Sequence, residues 1–176
     1  VKIVNLESEK LLRIIAGCIC MVLGAKIRIN FEGLVLFSFQ SLCIVVNGYW
    51  LRNKESIWSL LLYFTLGLMG FEVFAGKTVG LAIFSSPTLG FFIGFFAANF
   101  LGIGIKNWVI NFNWMHAVLF TTLLHFTILL IGYVYFYWYT DNIELTIQAL
   151  TQNISGMIYK IAIGSIFIAF ANKKEI

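Results

Sequence analysis

Few side chains in this 176-residue sequence are suited to chemistry, and they are thinly spread. The densest place is "FAGKTVGLAIFSSPTLGFFIGF", residues 74–95. It holds the single proline, Pro87, four glycines (Gly76, Gly80, Gly90 and Gly94) and one lysine, Lys77. Glu72 stands two residues before it, where it can pair with Lys77, contact a ligand or end a helix in solvent. Lys160 lies alone in the last apolar segment. An ionisable group at membrane depth is costly and usually functional, and the simpler alternative for Lys160 is snorkelling to the outer interface.

Catalytic patterns are missing. His116 and His125 are nine residues apart on an apolar segment without nearby carboxylates, which fits histidines satisfied inside a bundle better than a metal or proton relay. Cys18, Cys20 and Cys43 have no zinc-ligand spacing and read as small packing residues. No Walker-type phosphate loop and no nucleophile with a sequence-adjacent base is present. The expectation is a non-enzymatic protein with no catalytic residues, no metal and no cofactor.

The interrupted stretch points to binding instead. Gly76 and Gly80 permit tight turns and close approach of a ligand to the main chain. Pro87 removes a backbone donor and disfavours helix at Ser86, so "SSPTLG" reads as a break before or within an apolar span. Irregular backbone at membrane depth survives only when buried in protein or lining a cavity. With a basic residue beside it, such a cavity attracts an anion. The residues therefore describe an outward-facing pocket for a small, largely apolar molecule with a negative group, against the plainer reading of a re-entrant loop.

The elements that hold these residues follow from composition. The chain is 60% hydrophobic and 11% charged, with mean hydropathy +0.91, whereas soluble domains carry about 25% charged residues. Lipid must be its solvent. Six apolar segments, at approximately 11–29, 34–51, 56–74, 81–104, 115–139 and 154–172, approach spanning length. Their continuous apolar character argues for helices over barrel strands. With the N-terminus inside, Lys2, Lys10, Arg13, Arg52, Lys54, Lys106, Lys173 and Lys174 are cytoplasmic, and Lys26, Arg28 and Lys77 are outside. That asymmetry places both termini in the cytoplasm. The expected fold is an all-α integral membrane protein, a six-transmembrane-helix bundle forming a single domain over 1–176. The net charge of +4 is mostly this topology signal, so nucleic acid is not expected as a partner.

In the first segment, Ala16, Cys20 and Gly24 recur every four residues and form a strip of small side chains. Such strips let helices approach closely in lipid, either within the bundle or against another subunit.

The quoted residues resemble the BioY family, the biotin-binding membrane subunits (S components) of energy-coupling factor transporters. "GAKIRI" (24–29) is similar to the family's G-A-x-I-R-I, and "FSFQSL" (37–42) places Gln40 at its glutamine. "LLYFTLGLMGFEVFAG" (61–76) is similar to Y-L-x-L-G-L-x-G-x-P-V-F-A-G. "SPTLGFFIGF" (86–95) resembles G-P-T-G-G-Y-x-x-G-F, and "SGMIYK" (155–160) falls where the family has P-G-D-L-x-K. The resemblance covers roughly residues 24–95 and 155–165.

What it implies is capture of biotin from outside by a multi-pass protein of the cytoplasmic membrane. A second membrane subunit of the energy-coupling factor and two ATP-hydrolysing subunits would complete the importer. The strip Ala16, Cys20 and Gly24 is similar to the surface that docks on that membrane subunit. Lys77 is the expected partner of the carboxylate. Lys160 and Gln40 are expected on the ring or its surroundings, with Tyr63, Gly76 and Thr88 lining the cavity. Met157 replaces the family's acid, removing an acceptor for ureido N–H groups; Asn153, Asp141 and Glu144 are the candidate substitutes. Glu72 stands where the family has proline. These departures keep two alternatives open: an S component for another small vitamin-like carboxylate, and a structural or assembly protein that retains the fold without a ligand.

Overall fold

The computed structural model describes residues 2–29, 37–109 and 113–172. Residues 30–33 of the expected outer loop "KIRINFEG" lie outside them, as do Lys173, Lys174 and the side chains of Lys2 and Arg28. Six α-helices carry the chain: α1 (Lys2–Lys26), α2 (Gln40–Trp50), α3 (Asn53–Leu68), α4 (Leu89–Trp108), α5 (Trp114–Thr140) and α6 (Ile143–Asn172). Strands β1 (Arg28–Ile29) and β2 (Phe37–Ser38) pair antiparallel between α1 and α2. A 3-10 turn at Gly80–Ser85 precedes α4.

The six helices fall on the six apolar segments, with instructive shifts. Among the described residues, α4, α5 and residues Ile143–Phe170 of α6 are long and apolar enough to cross a membrane. Helices α2 and α3 have only 11 and 16 residues, short of the ~20 that a bilayer requires. Helix α6 starts 11 residues before the expected 154, because its first turns are polar and a hydropathy reading misses them. "QNISG" is therefore helix, and Lys160 lies several turns into α6 instead of one. Helix α4 begins only after Pro87, so the break precedes the helix.

Helix α2 is the axis of the bundle. Eight of its eleven residues are buried, and it packs on α1, α4, α5 and α6. Polar side chains tie the helices where lipid offers no hydrogen bonds. Asn47 Nδ2 donates to the Gly17 carbonyl at 2.9 Å, and Asn99 Nδ2 to Ser56 Oγ at 2.7 Å. Lys106 Nζ donates to the carbonyls of Tyr49 (3.0 Å) and Leu51 (2.6 Å), satisfying the C-terminal end of α2 where the chain turns into α3.

The irregular stretch 69–88 is held by helix side chains. The buried Tyr63 hydroxyl of α3 donates to the Val73 carbonyl at 3.1 Å, and Tyr139 of α5 donates to Ser85 O at 2.9 Å. Ser86 Oγ donates to Ile83 O at 2.8 Å. Of the two glycines expected to turn the chain, Gly80 takes a positive φ of 63° and Gly76 does not.

Replacing Tyr63 by Phe keeps the ring and leaves the Val73 carbonyl without its donor. Tyr63→Phe is expected to destabilise by about 1–3 kcal/mol, read as a lower melting temperature in detergent; an unchanged melt contradicts this role for the hydroxyl.

Candidate ligand-binding site

Two parts of the irregular stretch, residues 74–78 and 87–88, and the start of α4 together wall a cavity of about 220 Å³. Its apolar side is built by Phe74 from the irregular stretch, Phe91, Phe92 and Phe95 from α4, and Ile128 and Leu129 from α5. The rings pack edge to face: Phe74 on Phe92 with centroids 4.5 Å apart, Tyr63 on Phe74 at 5.3 Å, and Phe91 on Tyr133 at 5.2 Å. These contacts fix the irregular stretch against α3, α4 and α5.

Helices α4 and α5 come together at glycine. A Cβ on Gly94 would meet the Ile128 carbonyl oxygen at 2.9 Å and its Cα at 3.0 Å, which are backbone atoms unable to yield locally. This close approach sets the spacing between two walls of the cavity.

Polar groups enter from three directions. At the start of α2, Gln40 is only 4% exposed and its Nε2 has no hydrogen-bond partner among the described residues. From α6, Lys160 Nζ donates to Ser41 Oγ at 3.0 Å. One helical stretch earlier, Asn153 donates through Nδ2 to the Tyr133 hydroxyl (2.7 Å) and to Ala149 O (3.2 Å). The Tyr133 hydroxyl itself donates to Ala149 O at 2.8 Å. Its proton thus committed, that oxygen accepts from Asn153, which fixes the amide orientation and leaves Oδ1 as an acceptor. Among the described residues the cavity therefore offers a neutral donor, a cation and a neutral acceptor within an aromatic shell, and no carboxylate.

Four of the six residues expected to bind ligand line this cavity: Gln40, Gly76, Thr88 and Lys160. Tyr63 does not; it is fully buried behind Phe74, with its hydroxyl on Val73 O. Lys77 is exposed and lies outside the lining, although its neighbours Gly76 and Thr78 belong to it. Among the described residues no ion pair joins Glu72 to Lys77. Of the substitutes for the missing acid, Asn153 lines the cavity, whereas Asp141 and Glu144 are exposed at the turn between α5 and α6.

His116 closes an N-terminal capping box with Asn113 on α5, accepting at Nδ1 from the Asn113 amide at 3.3 Å. His125 is buried with Nδ1 2.8 Å from Thr121 O, but its Nε2 has no hydrogen-bond partner among the described residues, so it is satisfied on one side only.

The small strip of α1 does not form one surface. Gly24 is buried, and a Cβ there would meet Cys43 Sγ and the Phe39 carbonyl of the neighbouring segment. Cys20 is half-buried, while Ala16 is exposed. The outward face of α1 is instead Leu12, Ile15, Ile19 and Leu23.

Architecture and cavity together define a helical membrane protein with a ligand-sized cavity beside a broken segment. The solved structure titled as the S-component for biotin from an ECF-type ABC transporter superposes with a TM-score of 0.81, covering 96% of this chain and 93% of its own; at 21% identity the likeness is one of fold. The BioY family model matches residues 2–174, and the chain belongs to the BioY family. Over 110 residues it is 28% identical to the biotin transporter BioY2 of Lactococcus lactis subsp. cremoris, covering 62% of this chain and 59% of that one. Over 82 residues it is 37% identical to the probable biotin transporter BioY of Pyrococcus horikoshii, covering 46% and 50%. The chain thus spans only about half to three-fifths of the length of the curated relatives it matches.

Gly94→Ala is expected to force α4 from α5 and to cost about 1–3 kcal/mol. Thermal unfolding in detergent checks this, and a melt equal to that of the parent contradicts the close approach.

Proposed function

We propose that this chain is the substrate-capturing S component of a biotin importer. It is a non-catalytic subunit of the cytoplasmic membrane, one domain of six transmembrane helices with both termini inside. It works with a second membrane subunit and two ATP-hydrolysing subunits, which supply the energy that this sequence has no motif to harvest. The observation that carries the reading is the polar set of the cavity: Gln40 Nε2, without a partner among the described residues, the Asn153 amide turned so that Oδ1 is its acceptor, and the Lys160 ammonium, inside a phenylalanine shell.

Biotin answers that set group by group. Its ureido carbonyl accepts, its ureido N–H groups donate, and its thioether ring and alkyl tail are apolar. Gln40 donates to the head group and Asn153 Oδ1 accepts from it, taking the place of the acid absent at Met157. Lys160 adds a charge-assisted bond from the α6 side. The carboxylate lies toward the mouth, where Lys77 flanks the lining. The exposed end of the small strip, Ala16, with the apolar face beside it, is the surface offered to the membrane partner; Gly24 and Cys20 set how closely α1 sits on its own bundle.

One observation favours a second reading. Among the described residues the lining holds no carboxylate, and such a set would also suit another small vitamin-like acid.

The test is equilibrium binding of labelled biotin to the purified protein in detergent, with substitutions. Saturable one-to-one binding is expected. Lys160→Met, which removes a half-buried charged donor, is expected to weaken it about ten- to hundredfold. Lys77→Ala, an exposed group, is expected to cost no more than about fivefold. Absence of biotin binding in a folded, monodisperse sample rejects biotin as ligand, and displacement by a different vitamin-like carboxylate then selects the second reading. If no small carboxylate binds, the fold serves a structural role.

A further inference from the structure

A second concavity lies at the opposite end of the bundle, between the first turns of α1 and the start of α3, with a volume of about 810 Å³. Lys10, Arg52, Lys54 and Lys106 line it above an apolar floor of Leu11, Ile14 and Trp58. We propose that this groove binds the headgroup of an anionic phospholipid, with the phosphodiester at Arg52 and Lys54 and an acyl chain along Leu11 and Trp58.

Charge accounting comes first. The carboxylates here are already engaged: Glu7 with Lys10 at 2.6 Å, Glu9 with Arg13 at 3.0 Å, and Glu55 with Arg13 at 3.7 Å. Glu55 also accepts the Arg52 backbone N–H at 3.1 Å. Among the described residues five cations (Lys10, Arg13, Arg52, Lys54, Lys106) therefore meet three carboxylates, an excess of two. The side chains of Arg52 and Lys54 carry no ion pair among the described residues. Lys106 is committed to the Tyr49 and Leu51 carbonyls, which direct its ammonium but do not cancel its charge. A monoanionic phosphodiester meets that excess.

The floor argues for a lipid over a soluble phosphate or a protein loop. Leu11 and Trp58 are 58% and 59% exposed, directly below the cations, in a helical bundle whose sides face hydrocarbon. Apolar surface under a basic rim at a helix end is where a lipid places its chain and headgroup, and Trp favours that depth. Position adds a third argument: the groove gathers the N-terminal ends of α1 and α3 and the C-terminal end of α4, so it opens at a membrane surface, away from the cavity at Gln40 and Lys160.

The experiment uses the full chain in detergent, with phosphatidylglycerol or phosphatidylcholine added at equal concentration and retained lipid counted by native mass spectrometry. Phosphatidylglycerol is expected to be retained about tenfold or more in preference, and Arg52→Gln/Lys54→Gln is expected to abolish that preference. Lys54→Glu, a single exposed change, gives the same readout should the double variant fold poorly; helical circular dichroism checks each variant. Equal retention of the two lipids, or a preference that survives both variants, overturns the proposal. Displacement of the lipid by millimolar inorganic phosphate overturns it in favour of a free-phosphate site. Lost capture of a coupling subunit by these variants, with no lipid preference in the parent, overturns it in favour of protein docking.

Discussion

Irregular backbone cannot rest in lipid with its polar groups bare, and the bond from the Tyr63 hydroxyl to the Val73 carbonyl is where this chain meets that constraint. It fixes the main chain just beyond α3 and so delivers Phe74 to the rings of Tyr63, Phe64 and Phe92. From that anchor the chain runs outside α-helix as far as Thr88, through the 3-10 turn at Gly80–Ser85, with Tyr139 and Ser86 meeting further carbonyls on the way. A continuous helix through 69–88 would satisfy the same groups internally and leave no cavity. The break and the cavity are one feature seen from two sides.

The rest of the bundle positions what faces that break. Helix α2 is short and central: packed against all five other α-helices, it presents Gln40 and Ser41 at its first turn to the cavity. Helix α6 starts early enough that Asn153 and Lys160, about two turns apart on a 3.6-residue helix, both reach the same space. Burying one ammonium and two amides in an aromatic shell is unfavourable unless they find partners. Lys160 has Ser41, and Asn153 has Tyr133 and Ala149. Gln40 Nε2 has none among the described residues. An unpaired donor at the centre of such a set is what a binding site leaves for its ligand.

Much of this arrangement is legible in the residues. Composition requires lipid as solvent, Pro87 marks where α4 can begin, and the lone Lys160 in an apolar segment is its own signal. Gln40, Gly76 and Thr88, named from the family resemblance, line the cavity. What escapes are properties of three-dimensional closeness. Tyr63 reads as a lining residue but turns its hydroxyl to the backbone, and Lys77 reads as the central cation but stands outside the lining. The polar first turns of α6 hide its true start. Four-residue spacing unites Ala16, Cys20 and Gly24 on paper, yet successive steps of four drift around a 3.6-residue helix, carrying Gly24 inward against Cys43 while Ala16 stays outside. Asn153 stands out only once Tyr133 and Ala149 are seen to fix its amide.

The account stands on the irregular stretch being the wall of a ligand site. Hydrogen–deuterium exchange of the purified protein with and without saturating biotin tests that directly. Slower exchange is expected at residues 73–78 and 86–92 and around residues 153–160, with the end of the bundle near Lys54 unchanged. No change in those segments at a biotin concentration that saturates binding, or protection confined to another part of the bundle, would contradict it.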